Sequence, residues 1–107
     1  MQKYLFRNIQ VVNEGKISRM DVLVSGERIE RIDPNITVKS QCTEIDGERL
    51  HLFPGVIDDQ VHFREPGLTH KGNIFTESRA AVAGGVTSFM EMPNTIPNAL
   101  NIELLED

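Results

Sequence analysis

Three polar side chains in the second half of the chain lie where a predicted strand gives way to a loop. His62 and Arg64 follow the apolar start of one such strand, and Asn94 follows another. They offer an imidazole, a fixed cation and a neutral amide, groups that serve both in binding and in catalysis. The ends of parallel strands are also where barrels and open α/β sheets build their sites. Position therefore supports a functional role for the three residues about as well as a structural one.

Each of these residues also has a structural interpretation. A single histidine is most often a structural or surface residue, and Arg64 has an acidic neighbour, Glu65, for a surface ion pair. Asparagine is a common turn former after a strand. His51 and His70 have no partner at ligand spacing, so the structural interpretation stands for both. Residue type and position alone do not decide between the two interpretations for the other three.

The element that positions two of these side chains is a short strand beginning at Val56-Ile57-Asp58. Side chains alternate along a strand, so Gln60, His62 and Arg64 are expected to share one of its faces. Glu65-Pro66-Gly67 ends the strand, because proline lacks a backbone N–H and glycine suits a turn.

A helix and a second strand follow. Thr76 to Ala83 is expected to be helical, with Thr76 as its N-cap and its alanines packed against a sheet, and Gly84-Gly85 ends it. Val86 to Met92 predicts a buried strand, and Asn101 to Asp107 predicts the start of another helix. Strand, helix and strand form a βαβ unit with parallel strands. Because a parallel sheet needs helices on its faces and more strands beside it, this half is expected to open a larger α/β structure.

The first half of the chain has the pattern of short strands joined by turns. Leu5, Ile9 and Val11 lie at even spacing, as half-buried strands require. Ser25-Gly26-Glu27 connects two apolar runs and predicts a hairpin. Thr37 to Ile45 is expected to contain a further short strand. This half is all-β in character and carries no obvious chemistry.

Composition limits the classes of function. The chain has 107 residues and a formal net charge of -5, which argues against a nucleic-acid partner, since phosphate-binding faces are usually basic. It has no apolar stretch of the length of a secretory signal or a membrane span, and no basic run for a membrane surface. Its single cysteine, Cys42, cannot form an internal disulfide, so a cytoplasmic location is expected.

Residues 54–97 contain three stretches that carry a family resemblance: PGVIDDQVHFREPG, SRAAVAGGVT and MPNTIP. Together they strongly resemble the dihydroorotase branch of the amidohydrolase superfamily. Two stretches of the first half, DVLVSGERIERI and IDGERL, match the small β-domain of these enzymes more weakly. Dihydropyrimidinases, hydantoinases and allantoinases share the Pro-Gly-x-Ile-Asp opening, whereas Arg64 and the run from Met92 to Thr95 are typical of dihydroorotases.

The resemblance implies an α/β fold in which β-sandwich strands, residues 1–53, precede the first βαβ unit of an incomplete (β/α)8 barrel, residues 54–107. It implies a zinc-dependent enzyme of pyrimidine biosynthesis that reversibly hydrolyses the cyclic amide of dihydroorotate to N-carbamoyl-aspartate. The chain would be its N-terminal part and would stop before the barrel is complete. The remaining metal ligands and the proton-shuttling aspartate would lie beyond residue 107, so the chain alone is expected to be inactive.

The same resemblance assigns roles to individual residues. His62, Arg64 and Asn94 form the substrate-binding set, and His62 also ligates zinc, one or two ions of which are implied. Arg64 and Asn94 hold the substrate carboxylate, which suits the planar donor fork of a guanidinium and the neutral donor of an amide. Asp58 supports the metal ligands from behind, although a structural role fits it nearly as well.

One position departs from the family pattern. The metal motif is His-x-His, and here it is Gln60-Val61-His62. Zinc favours imidazole nitrogen or thiolate sulfur over an amide oxygen, so Gln60 is a doubtful ligand. Three alternatives remain open: Gln60 ligates weakly, only the second metal position fills, or catalysis has been lost.

Several functions therefore fit the sequence. The first is a working dihydroorotase that forms a homo-oligomer. The second is a non-catalytic, dihydroorotase-like scaffold or regulatory protein with a partner such as a carbamoyltransferase, and a related hydantoinase or allantoinase is a further alternative. The last is a small β-rich interaction module that acts alone. Histidines and a late aspartate downstream would favour an enzyme, and a folding test on the isolated chain would decide on the module.

Overall fold

The structure is a computed structural model that describes residues 1–106. It divides into two compact units, Met1–Pro54 and a second unit from Gly55 onward. None of the helices in residues 1–106 is long and apolar enough to span a bilayer.

The first unit is a single five-stranded sheet. Its strands are β1 (Lys3–Asn13), β2 (Lys16–Ser25), β3 (Arg28–Asp33), β4 (Thr43–Asp46) and β5 (His51–Leu52). The order is β3-β2-β1-β4, and β5 also pairs with β1. The β1–β2 and β2–β3 pairs are antiparallel hairpins, whereas β4 and β5 run parallel to β1. The turn predicted at Ser25-Gly26-Glu27 is confirmed, with Gly26 at a positive φ of 59° that glycine adopts without steric cost.

The short strand expected within Thr37 to Ile45 begins only at Thr43 and extends one residue past that range, to Asp46. Ile36, just before this segment, is fully buried in the core with Leu5 and Leu23. Its backbone N–H donates to the carboxylate of Asp21 at 3.0 Å. The Asp21 side chain, and not a β-ladder hydrogen bond, therefore holds the chain to the core at Ile36. The chain joins the sheet only at β4.

The middle of β1 is interrupted by a bulge. The register with β2 shifts between Phe6 and Ile9, and Asn8 has a positive φ of 52°. The backbone N–H of Asn8 donates to Asp21 at 3.0 Å, which replaces the lost ladder hydrogen bond. Asparagine is one of the few residues that tolerates this conformation. The bulge allows Leu5 and Ile9 to be buried on either side of it.

The second unit contains a βαβ unit, as predicted from the sequence. Its elements are β6 (Val56–Val61), α1 (Ile74–Ala83), β7 (Val86–Glu91) and α2 (Ile102–Glu106). β6 and β7 form a parallel pair. The predicted final helix corresponds to α2, and Asp107 lies outside the described residues.

The N-terminus of α1 differs from the prediction, in which Thr76 was the N-cap. The cap is Asn73, whose extended backbone lets Oδ1 accept the N–H of Thr76 at 2.8 Å. The carboxylate of Glu65 accepts the N–H of Ile74 at 2.7 Å. These two acceptors satisfy N–H groups that a helix start leaves without intrahelical partners, so the helix begins two residues earlier.

The faces of the second unit remain largely uncovered. α1 contacts β7 but has no buried residue, so the alanines expected to pack against a sheet are not buried within residues 1–106. Large apolar side chains are exposed on both strand and helix, with Ile57 at 66% and Phe75 at 69% of their full surface. Two strands and two helices bury Val61 and Phe63 but leave these other faces open, and the uncovered faces have the character of surfaces that pack against further elements.

Candidate functional site

The first candidate residues lie at the carboxyl end of β6. The strand ends at Val61, so Gln60 is inside it and His62 follows it directly. Burial still alternates through this region: Val61 and Phe63 are buried, whereas Gln60 and His62 are exposed. Gln60 and His62 therefore lie on one exposed face, with an apolar side chain between them turned inward.

Arg64 departs from this alternation. Its φ is 69°, in the left-handed region that residues other than glycine, asparagine and aspartate seldom occupy. The prediction that Gln60, His62 and Arg64 share one strand face is wrong for Arg64, because the chain has already left the strand and turned. Its side chain is half-buried and starts the loop that leads to α1.

Asp58 acts on the backbone beside Gln60. Its Oδ1 accepts the N–H of Gln60 at 3.1 Å. The register with β7 shifts over this interval, since Asp58 pairs with Phe89 and Val61 pairs with Glu91. β6 therefore has one more residue than β7 between these two pairs, which is a bulge. Bulges of this kind re-aim side chains near sites. The Asp58 carboxylate holds the backbone where that adjustment occurs.

Asn94 lies in the loop that follows β7. Its side chain is exposed, whereas the next residue, Thr95, is buried and donates from Oγ1 to the carbonyl of Pro97 at 2.8 Å. The side-chain amide of Asn98 is oriented with its nitrogen toward two carbonyl acceptors. The nitrogen donates to the carbonyls of Pro93 at 3.0 Å and Thr95 at 2.5 Å. The carbonyls of the two residues that flank Asn94 thus accept from one side chain.

The loops after β6 and β7 are joined by backbone contacts. The N–H of Met92 donates to the carbonyl of Val61 at 2.9 Å, and the N–H of Ile96 donates to the carbonyl of Pro66 at 2.9 Å. A Cβ on Gly67 would overlap Ile96, so the two loops approach as closely as glycine permits. The structure therefore brings the loop of His62 and Arg64 together with the loop of Asn94.

Two further carboxylates in this region are engaged by backbone donors. Glu91, the last residue of β7, accepts the N–H of Phe63 with both oxygens, at 3.0 and 3.1 Å. Glu65 accepts the N–H of Ile74 at the start of α1. Neither contact was predicted from the sequence. For Glu91 the available signal was a single acidic residue at the end of an otherwise uncharged strand.

The donor set available to a metal ion is small. Within residues 1–106, no group of three or more histidine, cysteine, aspartate or glutamate side chains is placed to hold one. The exposed face of β6 offers one imidazole, that of His62, and one amide oxygen, that of Gln60. His62 fits a zinc ligand, whereas Gln60 does not fit an imidazole position, and structural and catalytic zinc sites use at least three protein ligands.

An apolar cavity of about 420 Å³ lies beneath the two loops. Its lining includes Pro66, Met92, Pro93 and Leu105 together with Glu65 and Glu91. Phe63 packs on Phe89 nearby, with ring centroids 4.6 Å apart. The segment between His62 and Arg64 thus has an apolar contact as well as hydrogen bonds to hold it.

Comparison with known sequences gives consistent relatives. The chain is 49% identical over 90 residues to a dihydroorotase of Carboxydothermus hydrogenoformans, covering 84% of this chain and 21% of that protein. It is 41% identical over 105 residues to a dihydroorotase of Streptococcus thermophilus, covering 96% of this chain and 25% of that one. The chain thus spans about a quarter or less of the length of the curated relatives it matches. No family model matches it.

Comparison with solved structures gives related enzymes. An L-hydantoinase (dihydropyrimidinase) from Arthrobacter aurescens superposes with a TM-score of 0.86 at 28% identity, covering 99% of this chain and 24% of that one. A dihydropyrimidinase from Brevibacillus agri superposes with a TM-score of 0.76 at 32% identity, covering 86% and 20%. The fold of the chain is therefore that of the N-terminal part of these enzymes.

Proposed function

The chain belongs with the N-terminal portions of the dihydroorotase and hydantoinase branch of the amidohydrolase superfamily, and from this premise we propose that the complete protein is a zinc-dependent dihydroorotase. Its reaction would be the reversible hydrolysis of the cyclic amide of dihydroorotate to N-carbamoyl-aspartate, a step of pyrimidine biosynthesis. We also propose that it is cytoplasmic and forms a homo-oligomer.

The observation that carries this proposal is the junction of the two loops at the ends of β6 and β7. Backbone hydrogen bonds from Met92 to Val61 and from Ile96 to Pro66 hold the two loops side by side. They bring the segment of His62 and Arg64 to the segment of Asn94. These are the stretches whose residue types match the dihydroorotase pattern most specifically.

The residues of this chain would bind and orient the substrate. The Arg64 guanidinium offers two parallel N–H donors to the substrate carboxylate, and the Asn94 amide adds a neutral donor. Fixing the carboxylate at both points fixes the ring, and therefore the position of the amide carbonyl that is attacked. The backbone contacts around Asn94 and Arg64 support this role because they limit how far either residue moves.

His62 would hold the zinc ion together with ligands from later in the protein, and Gln60 would ligate weakly if at all. A zinc ion in such a site supplies an activated water and polarises a carbonyl. Asp58 would support this arrangement through its hydrogen bond to the backbone of Gln60.

We further propose that residues 54–107 open a (β/α)8 barrel and that residues 1–53 form part of a β-sandwich. The exposed apolar faces of β6, β7 and α1 support this proposal, since further strands and helices would cover them. The similarity to the N-terminal parts of hydantoinases supports it as well.

Two specific observations favour other functions. Gln60 in the place of a histidine favours a non-catalytic dihydroorotase-like protein that holds or regulates a partner, for instance a carbamoyltransferase. The similarity of fold to an L-hydantoinase favours a related cyclic amidohydrolase with another ring as substrate. Arg64 and Asn94 favour the dihydroorotase over the hydantoinase, because they suit a substrate that bears a carboxylate.

The test is metal analysis of the complete protein together with hydrolysis assays on dihydroorotate, hydantoin and dihydrouracil. We expect bound zinc and turnover of dihydroorotate that exceeds that of the two rings without a carboxylate. Zinc with turnover of hydantoin alone would assign the related activity. Absence of turnover for all three substrates in a folded protein would favour the non-catalytic alternative.

A further inference from the structure

Phe63 lies between the two residues proposed to bind zinc and substrate, and it anchors both. Its side chain is 6% exposed and packs on Phe89, whereas the neighbouring His62 is exposed. β6 ends two residues earlier, so the ladder no longer supplies an acceptor for the Phe63 N–H. A buried backbone donor requires an acceptor from elsewhere.

Glu91 supplies that acceptor. Both carboxylate oxygens lie within hydrogen-bond distance of the Phe63 nitrogen, at 3.0 and 3.1 Å. Glu91 is the last residue of β7 and pairs with Val61, so its backbone is fixed by the sheet on the strand beside His62. A carboxylate is also a stronger acceptor than a neutral carbonyl.

The contact fixes the peptide between His62 and Phe63, and so limits where the imidazole points. It also precedes Arg64, whose left-handed backbone persists only when its surroundings determine it. On one side of Arg64, Glu91 holds Phe63. On the other, Glu65 accepts the N–H of Ile74.

We propose that Glu91 is a positioning residue, which acts through the Phe63 N–H to set the direction of His62 toward zinc and of Arg64 toward the substrate carboxylate. This inference rests on the proposed function. Glu91 would contact neither the metal nor the substrate. Its carboxylate at the end of β7 would therefore be part of the site's support and not a surface charge.

The test compares three variants of Glu91 in the complete protein. Glu91→Ala removes the acceptor, Glu91→Asp keeps the charge but shortens the reach by one methylene, and Glu91→Gln keeps both the reach and an acceptor oxygen. Glu103→Gln, on the exposed α2, is the control. The readouts are hydrogen exchange of the Phe63 amide, zinc affinity by chelator competition, and kcat and KM for dihydroorotate.

We expect faster exchange of the Phe63 amide and roughly tenfold weaker zinc binding, with a raised KM, in Glu91→Ala and Glu91→Asp. Glu91→Gln should stay within about threefold of the parent, and Glu103→Gln should match it. Should Glu91→Ala not fold, Glu91→Asp decides the matter. Parental Phe63 protection and zinc affinity in Glu91→Asp would overturn the inference.

A separate outcome identifies failure of the proposed function. If the parent and His62→Ala bind zinc equally, then His62 is not a ligand and the functional premise is wrong. Faster exchange of the Phe63 amide in Glu91→Asp would in that case show that the Glu91 carboxylate orders this segment, although His62 binds no zinc.

Discussion

The Nη1 atom of Arg7 lies 2.9 Å from Oδ2 of Asp21, on the neighbouring strand of the first unit. Asp21 is 2% exposed, and its carboxylate also accepts the N–H groups of Ile36 and Asn8. Burial raises the pKa of Asp21, but these two amide donors and the Arg7 guanidinium lower it by more, so its pKa lies below the ordinary value. The bulge of β1 and the segment after β3 thus share one ionised side chain.

Asp21→Asn should destabilise the first unit by about 2 kcal/mol at neutral pH, because three donors lose a charged acceptor. A lowered carboxyl pKa contributes stability that is present above the unfolded value, about 3.9, and is lost as pH falls through the folded value. The gap in melting temperature between variant and parent should therefore narrow below about pH 4.

The control for this experiment is Asp33→Asn, which removes an exposed carboxylate paired with Arg31. Its effect should stay within about 0.5 kcal/mol at neutral pH. A gap between Asp21→Asn and the parent that is the same at pH 7 and pH 3 would show that the carboxylate charge does not stabilise the fold.

The strands of the first unit could be predicted because the signals are local. A glycine at a turn and an alternation of apolar residues are both visible within a few positions of the sequence. Gly26 lies at the predicted turn. The pairing of β4 and β5 with β1 could not be predicted, because parallel neighbours are set by contacts between distant residues. The start of α1 was misplaced since both Asn73 and Thr76 are good caps, and Glu65, nine residues before Ile74, supplies a second acceptor.

Arg64→Lys in the complete protein should lower kcat/KM on the order of 100-fold, although the charge is retained. Lysine is a point charge on a flexible stem and does not reproduce a two-pronged contact, so the substrate ring is misplaced. Asn94→Ala should cost about tenfold, because it removes one neutral donor. Steady-state kinetics on dihydroorotate and zinc content measure the two effects, and zinc content should be unchanged in both variants.

Arg79→Lys is the matched control for Arg64→Lys, since Arg79 lies on the surface of α1 above Phe75. It should keep parental kinetics. If Arg64→Lys also keeps them, or loses zinc instead, then Arg64 is a structural residue and does not hold the carboxylate.

His62→Ala should lower zinc content and rate together, because it removes the imidazole that directly follows β6. Gln60→His should act in the opposite direction and bind zinc more tightly than the parent, since imidazole replaces a weak amide ligand. Metal analysis after dialysis against a chelator measures both. Unchanged zinc affinity in Gln60→His would mean that residue 60 does not face the metal.

Residues 1–107 expressed alone should show no dihydroorotase activity. Within residues 1–106 no group of three ligating side chains is placed to hold a metal ion, so the isolated chain would not assemble the proposed reaction centre. An assay on protein purified from a host that lacks its own dihydroorotase measures this. Turnover above that of a His62→Ala control would contradict the prediction.

The same isolated chain should associate or precipitate at micromolar concentration. β7 exposes Phe89 and Met90, and α1 exposes Phe75, so large apolar faces have no cover among residues 1–106. An unpaired strand edge adds a template for association. Sedimentation velocity measures the species present. A single monomer with one cooperative unfolding transition would show that the chain is a self-sufficient module.

The candidate site could be predicted in its residues but not in its supports. His62, Arg64 and Asn94 were identified from their positions after strands and from the family resemblance. The turn of the backbone at Arg64 was not, because a left-handed arginine has no local sequence signal. Glu91 and Asn98 were also missed, since each acts on backbone groups of a loop, and such pairings become visible only when the loops are placed side by side.

Because β4 pairs in parallel with β1, the strand contacts of the first unit cannot all form at the same time during synthesis. The hairpins β1–β2 and β2–β3 join neighbours in the sequence and form quickly, whereas residue 4 meets residue 43 only after a long segment has been made. The meander therefore emerges from the ribosome with one side of β1 unpaired. Until β4 has been translated, that edge is exposed, and an unpaired strand edge is a template for pairing with strands of other nascent chains.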